Sequence, residues 1–189
     1  MSRSESSLIV VLDRLVLLIM LVALAGILTA AMVMQYAFGE LPCPLCLLQR
    51  VALFGCCFGL IQQVRDGESE RGSGISLAFA LLLLVISVRQ TLLDLFPRPG
   101  HGYIGSAVFG VHMEVWSVFV AVALLLGFAI RFLLFGAPHA APEPAGSMTH
   151  RFARGLEIYV VMICAINLIS VVLQCGLGEC HTFGYRLLQ

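Results

Sequence analysis

The chain has 189 residues, 60% of them apolar and 12% charged, with a mean hydropathy of +0.99. That composition belongs to a membrane protein and excludes an ordinary soluble domain. Eleven Arg balance eleven Asp plus Glu, so no basic stripe exists to meet a nucleic acid backbone. The apolar runs are continuous rather than alternating, which argues against a closed β-barrel. A single all-α transmembrane bundle over residues 1–189 is expected, with about five helices and no internal repeat.

A hydrocarbon core needs about 20 apolar residues per crossing. The first span, residues 15–38, is too long for a cleaved signal peptide and reads as a signal anchor. The second covers 44–64 and the third 75–96, with Gly72 and Gly74 expected in a polar, solvated hairpin between them. The segment Pro97 to His112 is too apolar for a freely solvated loop. Part of it is expected to lie on the membrane surface as a short amphipathic helix. The fourth span covers 113–135, with Trp116 and Tyr103 as interface anchors. Gly136 to Arg154, rich in Pro, Ala and Gly, reads as a second solvated connection before the fifth span at 156–175.

Arginine placement sets the orientation. Arg3, Arg14, Arg65, Arg71, Arg131, Arg151 and Arg154 fall on one side under the five-span reading, and Arg98 and Arg186 on the other. The arginine-rich side is expected to be cytoplasmic, with the amino terminus inside and the carboxy terminus outside. Cys43, Cys46, Cys175 and Cys180 then share the outer face. A four-span reading would send the last pair inside. The other three of the seven cysteines, Cys56, Cys57 and Cys164, lie within spans and are expected to act as small, buried apolar residues. Gly55-Cys56-Cys57-Phe58-Gly59 has small residues at the spacing that lets two membrane helices approach.

The chemistry concentrates where the second span begins, in Cys43-Pro44-Leu45-Cys46. Cys43 sits where a helix cap would sit and Pro44 at the first helical position, which proline favours. Unpaired amides at that end stabilise a thiolate. Cys46 is in the same turn and can reach Cys43. Arg50, four positions on, shares the face of Cys46 and lies roughly 10 Å into the span. Arg89 lies at a comparable depth in the third span. An ionisable side chain in the membrane marks a functional site unless it snorkels to the headgroups. A quinone fits beside such a cation, having an apolar ring, a lipid tail and carbonyls that accept hydrogen bonds. Gln49, Arg50 and Arg89 are the expected cofactor-binding side chains.

The second pair reads Cys175-Gly176-Leu177-Gly178-Glu179-Cys180, and its glycines let the sulfurs meet. It is either a static staple or a second redox-active pair that relays electrons to the first. Two other classes compete. Four thiolates from Cys43, Cys46, Cys175 and Cys180, with His181 as a substitute, would make a zinc site. Such a chain would be an assembly or metal-binding subunit with structural cysteines, indifferent to quinone. Haem has no facing pair among His101, His112, His139, His150 and His181, which lie in loops or at span edges.

Cys43-Pro44-Leu45-Cys46-Leu47-Leu48-Gln49-Arg50 resembles the CxxCxxxR signature of the DsbB family of membrane thiol–quinone oxidoreductases. The resemblance implies a multi-pass enzyme of the bacterial inner membrane, its redox cysteines facing the periplasm. It would reoxidise a periplasmic DsbA-type protein with a thioredoxin fold and pass electrons to ubiquinone or menaquinone. By match to the motif, Cys46 would meet the quinone, Cys43 would be its disulfide partner, and Arg50 would polarise a quinone carbonyl. The family usually has four spans and a second cysteine pair between the third and fourth. Pro97–His112 contains no cysteine, so Cys175 and Cys180 are expected to take that role, as catalytic residues with Cys43 and Cys46. Reverse flow, reducing partner disulfides as vitamin K epoxide reductase-like proteins do, uses the same scaffold.

Overall fold

A computed structural model describes residues 3–66, 70–96, 107–136 and 148–176. Among the described residues there are five α-helices: α1 (Arg3–Ala37), α2 (Pro44–Asp66), α3 (Glu70–Leu95), α4 (Met113–Phe135) and α5 (Met148–Cys175). Each contains a stretch long and apolar enough to cross a membrane, so the protein is an all-α integral membrane protein. The fourth span coincides with the sequence reading. The third and fifth begin earlier, at Glu70 and Met148.

Leu17, Leu21, Leu24 and Leu28 recur on one face of α1 and are buried against Cys56, Cys57 and Leu60 of α2, Ala80 and Leu83 of α3, and Phe128 of α4. The opposite faces carry exposed apolar side chains such as Ile19, Phe58, Val85 and Leu126. In a membrane these meet lipid tails, which are as apolar as the core itself, so packing and buried polar bonds must select the helix neighbours.

The ties between helix ends fix their alternation. Arg131, near the end of α4, meets Asp13, near the start of α1, with Nε–Oδ1 at 2.6 Å and Nη2–Oδ2 at 2.9 Å. Arg131 Nη1 also donates to Gln63 Oε1 of α2 at 2.9 Å, and Ser73 Oγ of α3 donates to the same oxygen at 2.9 Å. Four helices thus meet in one buried polar knot. At the opposite end, Gln174 Nε2 of α5 donates to Pro42 O, just before α2, at 3.0 Å. The carboxyl end of α5 is therefore pinned beside the start of α2.

Several expectations are corrected. Gly72 and Gly74 lie inside α3 rather than in a hairpin, and Gly72 is buried. The reason is close packing. A Cβ on Gly59 of α2 would lie 2.5 Å from Gly72 O and 2.7 Å from Ser76 N, and one on Gly55 would overlap the Phe79 ring. Ser76 Oγ then donates to Cys56 O at 3.2 Å across the seam. The small-residue run in α2 has the packing role expected of it. The solvated connection is shorter than its expected end at Arg154, because α5 starts at Met148. Cys56 and Cys57 are buried, but Cys164 is on the exposed face of α5. In the segment before α4, residues 107–112 form a β-hairpin, pairing Ala107 with His112 and Val108 with Val111, and not a helix. Phe109 (φ 54°) and Gly110 (φ 75°) supply the two left-handed residues that a tight two-residue turn needs. Residues 97–106 lie outside the described residues.

Gly59→Val is expected to destabilise the protein by about 1–3 kcal/mol through overpacking of the α2–α3 seam. Gly26→Ala, where an added Cβ meets nothing within 4 Å, should be neutral or slightly stabilising. Thermal unfolding of the two variants in one detergent makes the comparison.

Candidate active site

Cys43 and Cys46 form a disulfide, with Cα atoms 5.0 Å apart. The local sequence accounts for it. Pro44 starts α2 without needing an amide partner, Leu47 N donates to Cys43 O at 3.0 Å, and Cys46 N donates to Cys43 Sγ at 3.1 Å. Both cysteines are half-buried. With these two sulfurs joined, they cannot act as a pair of thiolate ligands for the zinc site considered from sequence.

A polar chain supports the disulfide from α3 and α4. Gln90 Nε2 lies 3.5 Å from Cys43 Sγ and 3.6 Å from Cys46 Sγ, and it donates to Glu114 Oε1 at 2.9 Å. Gln49 Nε2 donates to Gln90 Oε1 at 3.0 Å, and Ser117 Oγ donates to Gln49 Oε1 at 3.2 Å. Gln49, Gln90 and Glu114 are all buried. This fixes the Gln90 amide with its N–H₂ toward the sulfurs, where it can stabilise negative charge on a thiolate. Gln49, expected at the cofactor, is held in this chain.

Arg50 is buried and turns to the other side of α2. Its Nη1 donates to Gln35 Oε1 at 2.5 Å and to Asn167 Oδ1 at 3.1 Å, and its Nη2 donates to Ala31 O at 3.0 Å. Met32 Sδ lies 3.6 Å from Nη1. Met32 also lines a largely apolar groove of about 370 Å³ between α1 and α5, with Thr29, Tyr36, Tyr159 and Ile166. Thr29 Oγ1 and Tyr159 OH share a hydrogen bond of 2.7 Å at its wall, and Tyr36 OH is hydrogen-bonded to Ser170 Oγ. A groove with apolar walls, hydroxyls and a cation behind Met32 fits the ring and tail of a quinone.

Arg89 is exposed on α3, and its neighbour Gln90 is the α3 side chain that reaches the disulfide. Cys175 is buried and disulfide-bonded at the end of α5. Gln174, the residue before it, contacts Pro42, the residue before Cys43. Cys180 and His181 lie outside the described residues. Gln35, Gln90, Glu114 and Asn167 were not singled out by sequence reasoning. Their signal is a polar side chain inside an apolar span, the clearest case being Asn167, Ser170 and Gln174 on the single buried stripe of α5.

Five span-length helices, with a CxxC disulfide where the second begins, define a multi-pass membrane protein with a disulfide at one end of a span. Residues 13–102 match the family model described as Disulfide bond formation protein DsbB. The chain is similar to "Disulfide bond formation protein B" of Nitrosomonas eutropha, 33% identical over 89 residues, covering 45% of this chain and 55% of the relative. It is likewise similar to the protein of that name from Nitrosomonas europaea, 33% identical over 45% of this chain and 54% of the relative. The protein of that name from Aromatoleum aromaticum is 32% identical over 39% of this chain and 46% of the relative. The matched segment 13–102 takes in most of α1, all of α2 and α3, and the CxxC, and over it the chain is similar to the DsbB family. It spans about half the length of the curated relatives it matches. No solved structure matches it.

Proposed function

We propose that this chain is a membrane protein-dithiol:quinone oxidoreductase that supports disulfide bond formation. It would reoxidise a DsbA-type thioredoxin-fold protein in the bacterial periplasm. The observation that carries the reading is the Cys43–Cys46 disulfide at the end of a membrane span, with the Gln90 amide against both sulfurs. The family resemblance supplies the direction of flow. The arginine-rich helix ends, tied through Arg14 to Val64 O and Arg131 to Asp13, support a cytoplasmic amino terminus and a periplasmic disulfide.

The exchange balances as follows. A thiolate of the donor attacks one sulfur of a disulfide in this chain, forming a mixed disulfide and releasing the other sulfur as a thiolate. The donor's second thiolate displaces the remaining sulfur, so the donor leaves oxidised and the chain holds a dithiol. In the relay version Cys175–Cys180 receives this attack and passes two electrons to Cys43–Cys46. Pinning of the α5 end to Pro42 supports that version. When the dithiol closes again it gives up two electrons and two protons, which ubiquinone or menaquinone accepts when bound. Cys46 is the sulfur on the span side of the pair, and Gln90 stabilises charge on it. Arg50, held by Gln35 and Asn167, lies behind Met32 at the wall of the α1–α5 groove.

Quinone reduction by the purified protein, driven by a reduced thioredoxin-like donor, is expected for the wild type and not for Cys46→Ala. Absence of turnover in the wild type with several dithiol donors and both quinone classes would overturn the enzyme reading. Equal turnover in the two proteins would remove the disulfide from the mechanism.

A further inference from the structure

Beside the disulfide, three further side chains converge: Asp94 of α3, His112 at the N-cap of α4, and Glu114 in its first turn. One ligand atom from each lies within 4.8 Å of the other two. Acidic clusters are common, but this one is not a solvated surface. Glu114 is only 4% exposed. Its Oε1 accepts from Gln90, whereas Glu114 Oε2 and Asp94 Oδ2 are both buried with no hydrogen-bond partner among the described residues. Carboxylate oxygens withdrawn from water without donors are costly unless a cation or a proton compensates them.

We infer that Asp94, His112 and Glu114 form a divalent cation site of the zinc class at the membrane face that carries the disulfide. The donor set suits the ion. One imidazole and two carboxylates are three protein ligands of the kind zinc takes at about 2.0–2.2 Å, with a fourth position open to water. Around a tetrahedral ion such ligand atoms sit roughly 3.4 Å apart, so a modest closure from the present spacing completes the site. His112 is exposed and stands at the N-cap of α4. Glu114 and Asp94 come from different helices, so an ion would also tie α3 to α4 at the end where Gln90 meets the sulfurs. The site is separate from the four-cysteine arrangement, since it uses no sulfur.

The test is equilibrium dialysis of Zn²⁺ against the oxidised full-length protein in detergent, with Co²⁺ as a spectroscopic probe. One saturable ion per chain is expected. Glu114→Gln and Asp94→Asn, nearly isosteric, should each weaken it at least about tenfold, the scale on which even outer partners of metal ligands act. His150→Asn, on α5, should leave binding unchanged. The cobalt form should show visible ligand-field bands without a thiolate charge-transfer band. No saturable binding by the wild type would overturn the site and mean that the carboxylates share a proton instead. Binding indifferent to both carboxylate variants, or a thiolate band, would also overturn it by placing the ion elsewhere.

Discussion

Replacing Arg131 by Met is expected to destabilise the bundle by about 3–5 kcal/mol, the cost of stranding one partner of a buried ion pair. Arg131 and Asp13 have side chains 1% and 6% exposed and are joined by two hydrogen bonds. Without the guanidinium, Asp13 is a buried carboxyl that has lost both of these donors, and among the described residues Gln63 Oε1 keeps only Ser73 as a donor. The double variant Asp13→Leu/Arg131→Met removes both charges and should be less destabilised than Arg131→Met alone. Unfolding by heat or denaturant in one detergent measures both. A double variant as damaged as the sum of the singles would mean that the two residues act independently and that the pair is not what ties α1 to α4.

This knot also marks what the sequence made legible and what it left hidden. The five spans, their order and the CxxC at the head of α2 follow from hydropathy and from proline and cysteine spacing, because lipid imposes length and internal backbone bonding on every crossing. Gly55 and Gly59 announced a close helix contact, and the seam with Phe79 and Ser76 is where it falls. Partner choice was not legible. Arg131 reads as one more inner-side arginine and Asp13 as one acid near the amino terminus, separated by 118 positions. Only the packing makes them neighbours. Arg89 is more conspicuous in the sequence than Gln90, because charge stands out in an apolar span while helical phase decides which side chain faces inward. Arg89 is exposed and Gln90 buried, one residue and about 100° apart on the helix. The polar hairpin at Gly72 and Gly74 failed for a related reason. Glycine signals a turn when backbone freedom is needed, but at Gly72 its missing side chain admits a neighbouring helix.

Arg50→Met should reduce quinone turnover on the order of 10²-fold, the scale of removing a preorganised donor from a low-dielectric site. The stoichiometric oxidation of a dithiol donor by the resting disulfide should persist, because Cys43–Cys46 is supported by Gln90 from the opposite side of α2. The two assays therefore separate the halves of the proposed reaction. Asn167→Leu supplies the control for packing. It removes one oxygen acceptor of the guanidinium but leaves Gln35 and Ala31 O in place. If Arg50 serves the groove between α1 and α5, Asn167→Leu should keep most of the turnover, with its loss appearing in the quinone KM. If Arg50 serves only to hold α5 against α1 and α2, the two variants should lose turnover and thermal stability together. The usual four-span layout has no fifth helix to present such an acceptor. Asn167 therefore gives this chain a way to orient Arg50 that α1 and α2 alone do not provide, and the size of the Asn167→Leu effect on KM measures how far the fifth span contributes to the proposed quinone site.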